Sequence, residues 1–284
     1  MVKTRTIVLA TLLTALLGVS SVVQAQGGFG PPENTLVPVR DNIYMVRNRG
    51  AGNVTVLVGK KGVILVDDKF SQDHDAIMKL VRSVTAAPIL YVINTHMHPD
   101  HVGGNPAMLD LGAAIIASEN ARRIMAERGT AGLPNIAMRD YLRIYLDDMP
   151  IDLHYFGRAH TDNDIVVHLP EQRMLIAGDM FALYGPYQPV IDYSAGGSLR
   201  DWTRTLERAL QLDFDTVIPG HSGLTDRATM QGYVAELART QQMVREMNKQ
   251  KRSREDIQAV LMSDFNWGGL AMAVGLDGVI REMQ

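Results

Sequence analysis

An α/β domain, with helices covering the faces of β-sheet, is the fold class predicted by this 284-residue sequence. Two observations lead to it. Short β-branched runs alternate with amphipathic stretches, and the alternation recurs in two halves of similar style. The residues best suited to chemistry fall directly after predicted strands or in the adjoining turns, where sheets of this class present their sites.

From the N-terminus, Lys3 and Arg5 precede an apolar run from Ile7 to Val19, and Val23 and Ala25 supply the small residues of a cleavage site. Residues 1–25 therefore read as a secretory signal peptide. The apolar run is shorter than the roughly 20 residues that span a bilayer. Cleavage after Ala25 leaves no stable membrane anchor, and the expected location is periplasmic or secreted. Residues 26–37, "QGGFGPPENTLV", are expected to be a flexible lead-in to one domain over 38–284.

In that domain "NVTVLVG" and "GVILVDD" predict two strands joined by a hairpin over Gly59 to Gly62. Ile77, Leu80, Val81 and Val84 then recur at i, i+3, i+4 and i+7, one face of an amphipathic helix. "PILYVINT" returns as a buried strand. In the second half "IDLHYF", "DIVVHLP", "RMLIAGD" and "DTVIPGHSG" are expected strands, and "LRDWTRTLERALQL" an expected helix. Beyond about residue 225 the pattern is helical, with Ser253 and Asp256 spaced as a capping box.

A net charge of −3 offers no basic surface for phosphate neutralisation, so nucleic acid is not an expected partner; a small-molecule substrate is. The chain has no cysteine, which removes disulfides and thiolate ligands and leaves nitrogen and oxygen to hold any metal.

The densest chemistry lies in "NTHMHPDHVGGN", which places His96, His98, Asp100 and His101 within six positions after a strand. A strand would send alternate side chains to opposite faces. A compact loop aims all four one way, and Pro99, Gly103 and Gly104 suit one. His160 in "GRAHTDND", Asp179 in "IAGDMF" and His221 in "IPGHSG" occupy comparable places beside strands. Taken singly, Asp179 is equally a helix cap or a buried carboxylate, and His74, His154 and His168 read as ordinary surface or core residues.

"THMHPDHVGG" together with the later His160, Asp179 and His221 resembles the metallo-β-lactamase superfamily of metal-dependent hydrolases. The resemblance spans roughly residues 38–225 and implies a four-layered αββα sandwich. It also implies that His96, His98 and His160 hold one metal, that Asp100, His101 and His221 hold a second, and that Asp179 bridges the two. Asp67, ending "GVILVD", matches an acidic residue of the family strand and is expected to orient a ligand histidine; Asp68 beside it is a weaker match.

Two zinc ions are the expected cofactors of such a sulfur-free site, and iron or manganese also suits it. The implied chemistry is a hydrolase in which a metal-bridging hydroxide attacks a small ester, lactone, thioester or amide, with Asp100 orienting the nucleophile. Export and the histidine after the motif aspartate resemble the superfamily's β-lactamases, an alternative reading. Those enzymes generally carry cysteine or serine at the place of Asp179, and no lysine follows Asp179 closely. Hydrolases resembling hydroxyacylglutathione hydrolase keep the aspartate but act in the cytosol. A mononuclear iron oxygenase of the superfamily would use a subset of the same residues. Substrate choice falls to the surrounding loops: "FALYGPYQPVIDYSAGGS", with Tyr184, Tyr187 and Tyr193, is one candidate pocket wall, and "MAERGTAGLPNIAMRDYLR" a candidate lid.

Overall fold

The computed structural model describes residues 33–184 and 188–284. Residues 1–25, read as a signal peptide, lie outside the described residues, as does Tyr187.

The described chain forms two mixed sheets. The first carries β1 (Thr35–Arg40), β2 (Ile43–Arg47), β3 (Val54–Val58), β4 (Val63–Val66), β5 (Ile89–Ile93), β6 (Ala114–Ser118) and β7 (Ile136–Met138) in that order. Pairing is antiparallel from β1 to β4 and parallel from β4 to β7. The second sheet is built from β8 (Tyr141–Leu146), β9 (Met149–His154), β10 (Val166–Leu169), β11 (Met174–Gly178), β12 (Thr216–Pro219) and β13 (Thr225–Asp226), also adjacent in chain order. Only its β11–β12 pair is parallel. The described chain passes from one sheet to the other once, through Arg139 and Asp140.

Helices α1 (His74–Arg82), α2 (Pro99–Val102), α3 (Asn105–Asp110) and α4 (Glu119–Glu127) belong to the first half, and α5 (Leu199–Ala209), α6 (Arg227–Lys249), α7 (Arg254–Asp264) and α8 (Gly269–Glu282) to the second. Three hydrophobic clusters separate the layers. Ile77 and Val81 of α1 and Met108 of α3 pack on the outer face of the first sheet with Val63, Leu65 and Val92. Ile64, Val66 and Ile93 point the other way and meet Ile151, Val167, Ile176 and Ile218 of the second sheet. Trp202, Leu206, Tyr233, Leu237, Leu261 and Leu276 from the four later helices cover the far face. The result is the expected αββα sandwich. β4, "VILV", is buried on both faces, which is why it reads as a continuous apolar run.

Three expectations are corrected. β1 begins at Thr35, inside the segment taken as a lead-in, because Thr35 to Val37 pair with Met45 to Arg47 of β2. The amphipathic helix stops at Arg82, so Val84 lies past its C-cap, Ser83. The candidate lid "MAERGTAGLPNIAMRDYLR" is instead framework: it ends α4, supplies β7 and starts β8. The capping box forms as expected, with Ser253 and Asp256 satisfying each other's backbone N–H groups at the start of α7.

Trp202 links this core to the candidate site. It is fully buried, its indole N–H donates to the Met180 carbonyl at 2.8 Å, and its ring lies 6.3 Å from that of His160. Trp202→Ala should lower unfolding free energy by about 3–5 kcal/mol in a denaturant titration. Trp202→Phe, which keeps most of the volume but leaves the Met180 carbonyl without its donor, should lose less.

Candidate metal centre

All seven expected residues converge at one end of the sandwich, beyond the carboxyl ends of the parallel strands. β5 ends at Ile93, and Asn94 and Thr95 lead to His96. The expected compact loop is a single helical turn: His98 is its N-cap in extended backbone, Pro99 takes the first position, and Asp100 and His101 follow on α2. His160 lies in the turn before β10, Asp179 in a 3-10 turn directly after β11, and His221 directly after β12. The β11 and β12 ends are drawn close by a Gly220 N–H to Gly178 carbonyl bond of 2.9 Å. A Cβ on Gly220 would stand 2.0 Å from the Asp179 carboxylate, so only glycine permits the approach.

The side chains form two neighbouring groups. His98 Nδ1 lies 3.1 Å from His96 Nε2 and 2.8 Å from His160 Nε2. His221 Nε2 lies 3.2 Å from an Asp100 oxygen, and His101 Nε2 lies 3.5 Å from the same oxygen. Asp179 stands between the groups: one oxygen is 3.3 Å from His101 Nε2 and 3.4 Å from His221 Nε2, and the other is 3.8 Å from His160 Nε2. His101 Nε2, His221 Nε2 and Asp179 Oδ1 are buried without a hydrogen-bond partner. Buried polar atoms are normally paired. Three orphaned atoms lie together, with both imidazole nitrogens within 3.4 Å of Asp179 Oδ1, and nitrogen and oxygen donors so placed suit a divalent cation such as zinc.

The outward ring nitrogens are held. His101 Nδ1 meets Asp67 Oδ2 at 2.7 Å, and the same carboxylate accepts from the Thr95 N–H at 2.7 Å and the Thr95 hydroxyl at 2.8 Å. The expected orienting role for Asp67 therefore has its geometry. The Asp68 carboxylate instead accepts the Gly104 N–H at 2.9 Å, and its backbone N–H donates to the His101 carbonyl at 3.0 Å, so it braces the backbone of the turn and not an imidazole. Thr95 Oγ1 lies 3.1 Å from His96 Nδ1, His160 Nδ1 faces the Val190 carbonyl, and His98 Nε2 faces Asp192 at 3.0 Å.

Electrostatics split the group in two. Burial, helped by neighbouring imidazoles, holds His96 well below the usual histidine range, and burial lowers His160, so both favour the neutral form that donates a lone pair. Burial also acts to lower His101, but the carboxylates of Asp100, Asp179 and Asp67 outweigh it and push it well above that range. Burial likewise opposes ionisation of Asp179, yet His221 and His101 keep it well below the carboxylate range. Side-chain exposure of 21% at His98 and Asp100 and 15% at His221 marks the open side of the group.

The aromatic wall resolves residue by residue. Tyr184 donates its hydroxyl to Asp179, and its ring lies 4.6 Å from that of His221, so it belongs to the site. Tyr193 points away and donates to Glu282 at 2.8 Å, tying its loop to α8. Asp152, His154 and His168 form a further group whose atoms approach, but the Arg143 guanidinium occupies both Asp152 oxygens at 2.6 and 2.7 Å. His168 Nε2 meets the Asp213 carbonyl at 2.9 Å, an ordinary core histidine as expected.

The family model of the metallo-beta-lactamase superfamily matches residues 47–221, a span from β2 to His221 that includes all seven. The chain belongs to this superfamily. Its superfamily together with its β-lactamase relatives marks it as a metal-dependent hydrolase. A metallo-beta-lactamase type 2 from Bacillus cereus is 24% identical over 188 residues, 63% of this chain and 70% of that protein. The 2,4-dinitroanisole O-demethylase subunit alpha of Nocardioides sp. (strain JS1661) is 27% identical over 197 residues, 67% of this chain, which spans only 58% of that subunit. Among solved structures, a metallo-beta-lactamase from Pontibacter korlensis shares the fold with a TM-score of 0.66 at 18% identity, covering 72% of this chain and 99% of its own.

Two features of this superfamily member went unread in its sequence. The glycine of the Ala51-Gly52-Asn53 loop lies flat on His101, where a Cβ would come within 2.3 Å of the ring. Lys69, fully buried, donates to the Gly52 carbonyl and so pins that loop. Burial lowers the Lys69 pKa from 10.5 to about 8. Between those values the unfolded chain binds the additional proton, so this residue's contribution to stability rises by about 3 kcal/mol as pH rises through the window. Unfolding titrations of wild type and Lys69→Met from pH 7 to 10.5 should therefore diverge, with the steeper rise in the wild type.

Proposed function

We propose that the protein is an exported, binuclear zinc hydrolase of small esters, lactones, thioesters or amides, acting in the periplasm or outside the cell. What supports this most is the set of three orphaned donor atoms, His101 Nε2, His221 Nε2 and Asp179 Oδ1, flanked by His96, His98, His160 and Asp100. His96, His98 and His160 would hold one ion, Asp100, His101 and His221 the other, with Asp179 shared. Zinc held there supplies Lewis acidity that activates water at neutral pH and polarises a carbonyl oxygen.

The chain's own residues supply the rest. Asp100, on the open side and ionised because His101 and His221 overcome the effect of its burial, is suited to orient a water molecule. Asp67 and Thr95 fix His101 and His96, so the donor atoms are set before substrate arrives. Burial and the adjacent Asp179 hold the Tyr184 phenol well above its usual range. It stays a protonated donor, steadying Asp179 at the rim where substrate would enter.

β-Lactam hydrolysis is the second reading, favoured by the Bacillus cereus relative. Against it as the main activity stands Asp179, a carboxylate where a cysteine or serine is general in lactamases, and no lysine follows Asp179 closely in the chain to grip a drug carboxylate. No helix among the described residues is long and apolar enough to cross a membrane.

Elemental analysis of the purified protein should find about two zinc ions per chain; one iron per chain would replace the hydrolase reading with an oxygenase. A panel of lactones, thioesters, penicillins, carbapenems and bis-nitrophenyl phosphate should show turnover that Asp100→Ala reduces at least about 100-fold. His160→Ala should lose one zinc and most activity. Equal turnover by wild type and Asp100→Ala across the panel would remove the hydrolytic reading.

A further inference from the structure

Asp192 has no part in the seven-residue set and lies 94 residues from His98 in sequence, yet its carboxylate meets that imidazole of the centre. Asp192 Oδ2 is 3.0 Å from His98 Nε2, the nitrogen on the far side of the ring from His96 and His160. Between a carboxylate and an imidazole nitrogen the proton lies on the nitrogen, which donates. Nδ1 then carries the lone pair, and it is this atom that stands 2.8 Å from His160 Nε2 and 3.1 Å from His96 Nε2.

The carboxylate is itself aimed. Its Oδ1 accepts from the Ser194 N–H at 2.9 Å, the Ser194 hydroxyl at 2.6 Å and the Ala195 N–H at 3.1 Å, capping a short 3-10 turn. That leaves Oδ2 for His98. The Asp192 backbone N–H donates to the His160 carbonyl at 2.9 Å, and two residues earlier the Val190 carbonyl faces His160 Nδ1. One strap therefore grips two imidazoles of the same triple, each at the nitrogen turned away from the other.

The four imidazoles with held outer nitrogens use different acceptors. His96, His101 and His160 use fully enclosed ones on Thr95, Asp67 and Val190. His98 is the exception, because it and Asp192 each keep 21% of their side-chain surface exposed. A ring at the rim rotates or hydrogen-bonds to water unless a fixed acceptor holds it.

We propose that Asp192 is a positioning residue that locks the His98 ring with Nε2–H outward and Nδ1 presented to His96 and His160, and so sets the zinc affinity of that half of the centre. The proposal rests on reading His96, His98 and His160 as one zinc site. Competition with a chromogenic chelator should show Asp192→Ala weakening one zinc about 10–100-fold while the other is retained. Asp192→Asn, which keeps the shape and an acceptor for the turn, should fall between. In the cobalt-substituted protein one exchangeable, paramagnetically shifted imidazole N–H signal should be present in wild type and lost to solvent exchange in Asp192→Ala. Unchanged affinity and an unchanged N–H signal in Asp192→Ala would overturn the positioning role alone. Equal weakening of both zinc ions, with a lower melting temperature of the metal-free protein, would overturn it in favour of a purely structural cap. A wild type that binds no zinc would overturn the centre and the role together.

Discussion

One buried carboxylate, Asp67, holds the site and the sheet to each other. It follows β4, a strand buried on both faces, and turns its backbone through a positive φ of 63°. From there it accepts from both donors of Thr95 and from His101, so one side chain joins the ends of β4 and β5 to the turn that carries Asp100 and His101. Burial raises its pKa despite these bonds. Such a group is stable only while its partners stay in place, because a carboxylate left without them in this interior would be desolvated and unpaired. The local geometry of His96 and His101 follows from that demand.

The same logic extends to the second sheet with backbone in place of carboxylate. The Ile165 N–H donates to the Thr95 carbonyl at 2.8 Å, and the Met97 N–H donates to the Asn163 side chain at 3.0 Å. The Asn53 side chain spans the Pro219 and Ser222 carbonyls at 2.8 and 2.9 Å. These polar ties cross between the halves where the apolar core of Ile64, Ile93 and Ile176 ends. The centre is therefore a polar cap on an apolar interface, with its hydrogen bonds completed by loops from both sides.

Much of this was legible in the sequence. The double-faced strands announced themselves as unbroken runs such as "VILV", and α5 as a helix with Leu199, Trp202 and Leu206 on one face. The convergence of the seven side chains was legible because imidazoles and carboxylates so crowded beside strand ends have few other uses. β1 was missed because Pro38 and the preceding Gly and Pro residues mask it, and pairing with β2 decides it. β7 has three residues, too few for any periodicity. Asp192, Lys69 and Gly52 gave no local signal, since each acts on a residue distant in sequence through a contact that only the folded chain creates.

The single passage between the sheets, through Arg139 and Asp140, has a consequence for topology. His96, His98, Asp100 and His101 lie before that passage and His160, Asp179 and His221 after it. An ion ligated from both sides would tie the two halves of the folded chain together by coordinate bonds, and it would stabilise the fold to the extent that it binds the folded state more tightly than the unfolded one. With the centre loaded as proposed, a protein without cysteine would gain a reversible cross-link, one whose opening is governed by metal supply instead of redox potential.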